Sequence, residues 1–211
     1  FGILHDKVVD AFDERMLQAF RNGQRAPREI GFTPLGLAAL ETLGELEQAK
    51  SLAERAFTEH RRLFGDESVQ TARSEWTLGW VLANQGEFAP ARERLEHAIA
   101  VLDREEGPQS LTAADAREPL MELLFGAEGP QGTLAVVERR LATYRAVLGE
   151  RDVRTALSLS DLGVVLNELE RSQEAEKAYR ASAAILDALL PASDPRVAYP
   201  HGNLAGLLRE A

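Results

Sequence analysis

The sequence predicts an all-α protein, a right-handed superhelical solenoid built from antiparallel helix pairs. Three observations predict it. The 211 residues repeat with a period of 42 residues, and apolar residues recur at helical spacing within each period. Aromatic residues make up only 6% of the chain whereas Ala and Leu are abundant, a composition that favours closely packed helices over a sheet-based core.

The 42-residue period is visible in residues that recur at equivalent positions. Leu-Gly steps stand at Leu78-Gly79 and Leu162-Gly163, 84 residues apart, which is twice the period. The same interval separates Ala72, Ala114, Ala156 and Ala198, and also Leu78, Leu120, Leu162 and Leu204. Matches of this number at one interval identify an internal repeat, which decides the fold class.

Each repeat is predicted to hold two helices packed as a hairpin. Ala91, Leu95 and Ala98 form an i, i+4, i+7 stripe, and such small residues let two helix backbones approach closely. Gly86 marks the turn between the helices. First helices are predicted at 31–43, 71–84, 113–125, 155–168 and 197–210. Second helices are predicted at 3–21, 46–63, 88–104, 132–148 and 172–190.

These residues carry a family resemblance. The tetratricopeptide repeat has Leu-Gly in its first helix, Gly in the turn, and two Ala seven residues apart in its second helix. That pattern is present at Leu78-Gly79, Gly86, Ala91 and Ala98. The 42-residue spacing and the segments 148–153 and 193–198 resemble the kinesin-light-chain subtype. The resemblance covers residues 30–211 and implies a helical solenoid that binds other proteins, although this fold serves many different partners.

The period divides the chain into repeats at 30–71, 72–113, 114–155 and 156–197, followed by the first helix of an incomplete repeat at 198–211. Residues 1–29 are predicted to form the second helix of a preceding unit. Half-units at both ends indicate a fragment of a longer array. Only three of the 24 basic residues are lysine, an arginine bias typical of GC-rich bacterial genomes.

The repeat at 114–155 is degenerate. Met121, Thr133 and Arg140 stand where the other repeats have small residues, and Pro119 falls in the first helix. Residues 126–132 include three glycines and a proline, so we expect a long, loose turn there, with either a distorted helix pair or a bend in the array.

The formal net charge of −10 argues against nucleic acid or an anionic membrane as the main partner, since either would need a concentrated basic stripe. No apolar run has the length that a membrane-spanning helix requires. The chain contains no cysteine, which excludes disulfides and thiolate metal sites. We expect a cytoplasmic location.

Sequence motifs for catalysis are missing. His5, His60, His97 and His201 lack metal-ligand spacing, and phosphate-binding loops and nucleophile elbows are absent. Glu93 and His97 are one helical turn apart, a spacing that fits a surface contact. We therefore expect no enzyme activity, no metal and no cofactor.

Candidate partner contacts lie on the non-core side of the first helices, which line the concave face in this architecture. Trp76 and Trp80 stand two residues either side of Leu78, so each points about 160° away from that core residue. The other candidates are Arg73, Asn84, Asp115, Glu118, Glu122, Ser160, Asn167 and Asn203.

Two interpretations of these residues remain open. Trp76 and Trp80 form either an aromatic anchor for a partner or an extension of the core. The three carboxylates Asp115, Glu118 and Glu122 either attract a partner segment that carries Arg or Lys, with an apolar residue for the tryptophans, or form a solvated face.

The sequence thus favours a protein–protein interaction module that binds a peptide or protein segment in a concave groove, within a larger signalling or regulatory protein. One alternative is a ligand- or peptide-sensing regulatory domain that controls an attached effector domain. A second is an enzyme whose activity resides in an attached domain.

Overall fold

A computed structural model describes residues 46–210, and this part of the chain is entirely α-helical, without a strand. Its helices are α1 (Leu46–Phe64), α2 (Val69–Asn84), α3 (Phe88–Glu105), α4 (Leu111–Leu148), α5 (Val153–Glu168), α6 (Ser172–Leu189) and α7 (Pro195–Glu210). None of these helices is both long and apolar enough to cross a membrane. The all-α prediction is confirmed for the described residues.

The predicted helix bounds agree with the structure to within two residues at most ends. The helix predicted at 71–84 begins at Val69, and the helix predicted at 172–190 ends at Leu189. The helices predicted at 3–21 and 31–43 lie outside the described residues. The repeat boundaries themselves stay a prediction.

The chain divides into two compact units, and the boundary between them lies between Arg94 and Leu95, inside α3. In the first unit α1 packs against α2. In the second unit α5 packs against α4 and α6, and α7 packs against α5 and α6. The connections between consecutive helices are short, so these neighbours run antiparallel.

Residues that cap the start of a helix recur every 42 residues. The residues Ser68, Ser110, Asp152 and Asp194 each accept a hydrogen bond from a backbone N–H two or three residues later. The first N–H groups of a helix have no partner within the helix, so a side-chain acceptor at this position satisfies one of them and fixes where the helix begins. The caps therefore impose the period on the fold.

Small residues form the seams between paired helices. Ala156 of α5 and Ala175 of α6 are fully buried, and Tyr179 is nearly so. Leu166, Ala175, Tyr179 and Leu207 join α5, α6 and α7 in one apolar cluster. The predicted small-residue seam thus forms the core of the second unit.

The long, loose turn predicted at 126–132 is wrong. Residues 111–148 are helical except at Gly129, whose backbone (φ 70°, ψ −168°) breaks the helix at a single residue. Pro130 opens the next helical segment, where its missing N–H would have no helical partner in any case. The Thr133 hydroxyl donates to the Gly129 carbonyl (2.9 Å) and supports the break. Two helical segments, 111–128 and 130–148, thus form the hairpin of the degenerate repeat.

Candidate partner-binding surface

The two tryptophans lie on α2, in the first unit, and are both half-buried. The indole nitrogen of Trp76 is shielded from solvent and has no hydrogen-bond partner within residues 46–210. The Asn84 side chain is exposed and donates to the Trp80 carbonyl (3.1 Å), and Arg73 is also exposed. Half-burial is compatible with both interpretations of the tryptophans, so their role as an anchor stays a prediction.

The predicted acidic row lies in the second unit, on the first segment of α4. Its first member, Asp115, is held from two sides. It accepts a hydrogen bond from the Tyr144 hydroxyl (2.6 Å), and Arg154 lies 3.9 Å away. Desolvation by burial raises the pKa of Tyr144, so the phenol keeps its proton and remains a donor. Asp115 is therefore already paired with side chains of its own chain.

A buried arginine lies beneath the row. Arg140, on the second segment of α4, is only 3% exposed. Its Nη1 lies 3.1 Å from Asp161 Oδ2, and its Nη2 lies 3.6 Å from Glu118 Oε2. Burial alone would lower the pKa of Arg140, but Asp161 and Glu118 outweigh that effect and raise it, so the guanidinium is charged. One cation thus connects carboxylates on two helices, α4 and α5.

Asp161 and Glu122 lie close to other carboxylates, and burial together with these carboxylates raises the pKa of both residues. Burial raises the pKa of Asp161 and Glu118 adds to the rise, while Arg140 opposes it. Glu122 is exposed as a residue, yet desolvation of its carboxylate raises its pKa. The nearby charges of Glu118 and Asp161 raise that pKa further, while Arg140 opposes the rise. Negative charge is therefore concentrated around these three residues beyond what Arg140 neutralises.

The last helix supplies aromatic surface next to Asp161. Tyr199 on α7 is 43% exposed as a residue, and its hydroxyl donates a long hydrogen bond to Asp161 Oδ1 (3.4 Å). Burial and the charge of Asp161 raise the pKa of Tyr199 to about 12. Asn203 lies one turn further along α7 and is half-buried. We call the set Asp115, Glu118, Glu122, Asp161, Tyr199 and Asn203 the acidic surface.

The prediction that Ser160 contacts a partner is wrong. Ser160 is 0% exposed, and its hydroxyl donates to Ser182 Oγ (2.8 Å), which in turn donates to the Ala156 carbonyl (2.6 Å). Because α5 packs against three helices, a side chain that points away from Leu162 still meets a neighbouring helix. Asn167, near the end of α5, is half-buried.

The sequence pattern did not indicate Asp161 and Tyr199 as parts of the surface, nor Arg140 beneath it. One signal was available, because an arginine at a position that is small in other repeats must find a carboxylate if it is buried. The described residues contain no group of three or more His, Asp or Glu side chains that could hold a metal ion. The contacts observed on this surface are ion pairs and hydrogen bonds.

Comparison with known proteins identifies the repeat. Residues 33–104 match the family model of the tetratricopeptide repeat. No curated protein matches the chain in sequence.

Solved structures show the same fold. The chain superposes on BtubC (BKLC) from P. vanneervenii with a TM-score of 0.75 and 16% identity, over 96% of this chain and 81% of that one. It superposes on the TPR-like repeats of a Podosopora anserina protein described as a kinesin light chain with a TM-score of 0.71 and 16% identity, over 83% of each chain. Repeats of this type are in general protein–protein interaction modules. Residues 33–104 thus match the tetratricopeptide repeat, and the chain has the fold of kinesin-light-chain-like repeat proteins.

Proposed function

We propose that the protein binds a segment of another protein on the acidic surface, and that this segment carries Arg or Lys together with an apolar residue. One observation supports the proposal above the others. Glu118, Glu122 and Asp161 gather on adjacent helices around a single buried cation, so the surface keeps an excess of negative charge.

The apolar part of the partner has a place on the same surface. The Tyr199 side chain is partly exposed and adjoins Asp161, so it offers an apolar face beside the carboxylates. Tyrosine is among the residue types enriched at binding hot spots. Trp76 and Trp80, in the first unit, are proposed as a second contact and are tested separately. The wider setting, a larger signalling or regulatory protein, stays a prediction.

The test uses the full 211-residue chain as bait for a displayed library of random peptides. Selected peptides are then measured against variants by calorimetry. Glu118→Lys and Tyr199→Ala should weaken binding, because the first reverses a charge on the surface and the second removes its aromatic face. Glu138→Lys, at an exposed position on the second segment of α4, makes the same charge change elsewhere and should leave binding unchanged.

Three results would contradict the proposal: no enriched peptide, binding that survives both surface substitutions, or binding lost equally in Glu138→Lys. Trp80→Ala is measured alongside, with circular dichroism to confirm folding. Binding unaffected by Trp80→Ala would remove the tryptophans from the proposal and leave the acidic surface in place.

A further inference from the structure

We infer that Arg140 is a positioning residue of the acidic surface: it engages Glu118 and Asp161 and thereby leaves Glu122 as the carboxylate that pairs with a basic side chain of the partner. The inference rests on the proposed function and deepens it, since it names the residue that forms an ion pair with the partner. It also assigns a role to Arg140, one of the residues that make this repeat degenerate.

Arg140 occupies a position that holds a small residue in the neighbouring repeats. The equivalent residues 42 positions before and after it are Ala98 and Ser182, which are both fully buried in a helix seam. Neither side chain is long enough to reach beyond that seam. Arg140 is buried to the same degree, but its guanidinium passes through the seam and meets carboxylates of α4 and α5. Its charge therefore acts on the acidic surface from the interior of the protein.

The geometry fixes those carboxylates. A buried guanidinium is stable only while its charge is matched, so the contacts with Asp161 (3.1 Å) and Glu118 (3.6 Å) restrain both partners. The ring of Tyr144 lies 5.7 Å from the guanidinium carbon and packs on it, which limits the rotamers open to Arg140. Arg140 is thus itself held in place.

The pairing leaves one carboxylate unmatched. Asp115 has Tyr144 and Arg154 as partners, whereas Glu118 and Asp161 share Arg140. Within residues 46–210, Glu122 makes no direct hydrogen bond or ion pair, and only the longer-range charge of Arg140 opposes the repulsion from Glu118 and Asp161. Its exposure makes it accessible, and a cation brought there would relieve the repulsion from Glu118 and Asp161.

The first experiment compares two carboxylates on one helix. A peptide selected on the wild-type chain is titrated against Glu122→Gln and Glu118→Gln, each of which removes one negative charge from an exposed position. We expect Glu122→Gln to weaken binding about tenfold, the loss of one charge-assisted hydrogen bond. Glu118→Gln should weaken it about threefold or less. A larger loss in Glu118→Gln than in Glu122→Gln would overturn the inference.

The second experiment changes the charge beneath the surface and repeats the library selection. Arg140→Met frees Glu118 and Asp161, so the selected peptides should gain one or more Lys or Arg relative to those selected on the wild type. The double variant Arg140→Met with Asp161→Asn loses one charge of each sign, which leaves the net charge of the surface unchanged. It should select peptides of wild-type charge. A purely structural role for Arg140 would not change the charge of the selected peptides.

The outcomes separate the inference from the proposed function. Peptides that bind on the acidic surface but carry no excess of Lys or Arg would overturn the inference alone, as would identical selections by the wild type and Arg140→Met. The absence of enriched peptides would overturn the proposed function and the inference with it. Should Arg140→Met fail to fold by circular dichroism, the comparison of Glu122→Gln with Glu118→Gln still decides the inference, because both residues are exposed.

Discussion

Gly163 of α5 lies so close to Tyr179 of α6 that a Cβ on the glycine would stand 2.5 Å from Cε1 of the ring. The ring is almost completely buried, so it cannot move aside without disturbing the apolar cluster that joins α5, α6 and α7. This contact explains why the Leu-Gly step of the repeat requires a glycine here.

Substitution of this glycine should therefore destabilise the protein. Gly163→Ala is expected to lower the free energy of unfolding by about 1–3 kcal/mol, the usual cost of overpacking a core. Gly126→Ala is the matched control, because a Cβ there meets no atom within 4 Å and alanine favours the helix. Urea denaturation of both variants gives the answer, and a stabilised Gly163→Ala would contradict the packing argument.

The turn between α5 and α6 offers a stabilising change. Glu170 has a positive φ of 59°, and Gly86, 84 residues earlier, holds the equivalent turn with φ 81°. A side chain in this region is strained, whereas glycine is not. Glu170→Gly should raise the free energy of unfolding by about 1 kcal/mol. The reverse change, Gly86→Glu, should lower it, and a loss of stability in Glu170→Gly would contradict the assignment.

The hydrogen bond from Tyr144 to Asp115 should couple the two segments of α4. Tyr144→Phe keeps the buried ring and removes only the donor, so we expect a loss of about 1 kcal/mol in stability. A double-mutant cycle with Asp115→Ala, which removes the acceptor, isolates the interaction between the two side chains. A coupling energy below about 0.3 kcal/mol, which is within the normal error of additivity, would show that the bond contributes nothing.

Glu122 should make the stability depend on pH in the direction opposite to that of a salt-bridged carboxylate. Its folded-state pKa lies above the ordinary value of 4.5, so the folded protein holds this proton more tightly than the unfolded chain does. Its contribution to stability is present below pH 4.5 and is lost as the pH rises through the folded-state pKa.

Glu122→Gln removes this dependence. The stability of the variant relative to the wild type should therefore increase from about pH 4 to about pH 7, as measured by denaturation at each pH. Glu138→Gln controls for the general loss of one negative charge. A relative stability that decreases over the same range would mean that the charged form of Glu122 is favoured by folding.

The helix boundaries could be predicted from the sequence because they depend on local chemistry. Residues at 68, 110, 152 and 194 cap helices through contacts within three residues, and the 42-residue period repeats those caps. The turn at 126–132 was predicted wrongly for a related reason. Its glycines and proline suggested a loop, yet Pro130 suits the first position of a helix and one glycine suffices for the break.

The candidate surface was only partly predictable, because its contacts join residues that are distant in sequence. Arg140 and Asp161 are 21 residues apart and lie on different helices, so their pairing depends on side-chain direction and helix packing. Ser160 was misplaced because a single core direction was assumed for α5. That helix has neighbours on several sides and buries residues that a two-sided helix would expose.

The single-residue break at Gly129 affects where proteases can cleave the chain. Proteases cleave extended, exposed backbone, and the other connections offer several such residues, as between Phe64 and Val69 or between Leu148 and Val153. The degenerate hairpin offers one, since the residues on both sides of Gly129 are helical. The glycine-rich segment 126–132 is therefore a poor cleavage site despite its composition. Limited digestion should leave 111–148 intact and cut in the loops between the other helices.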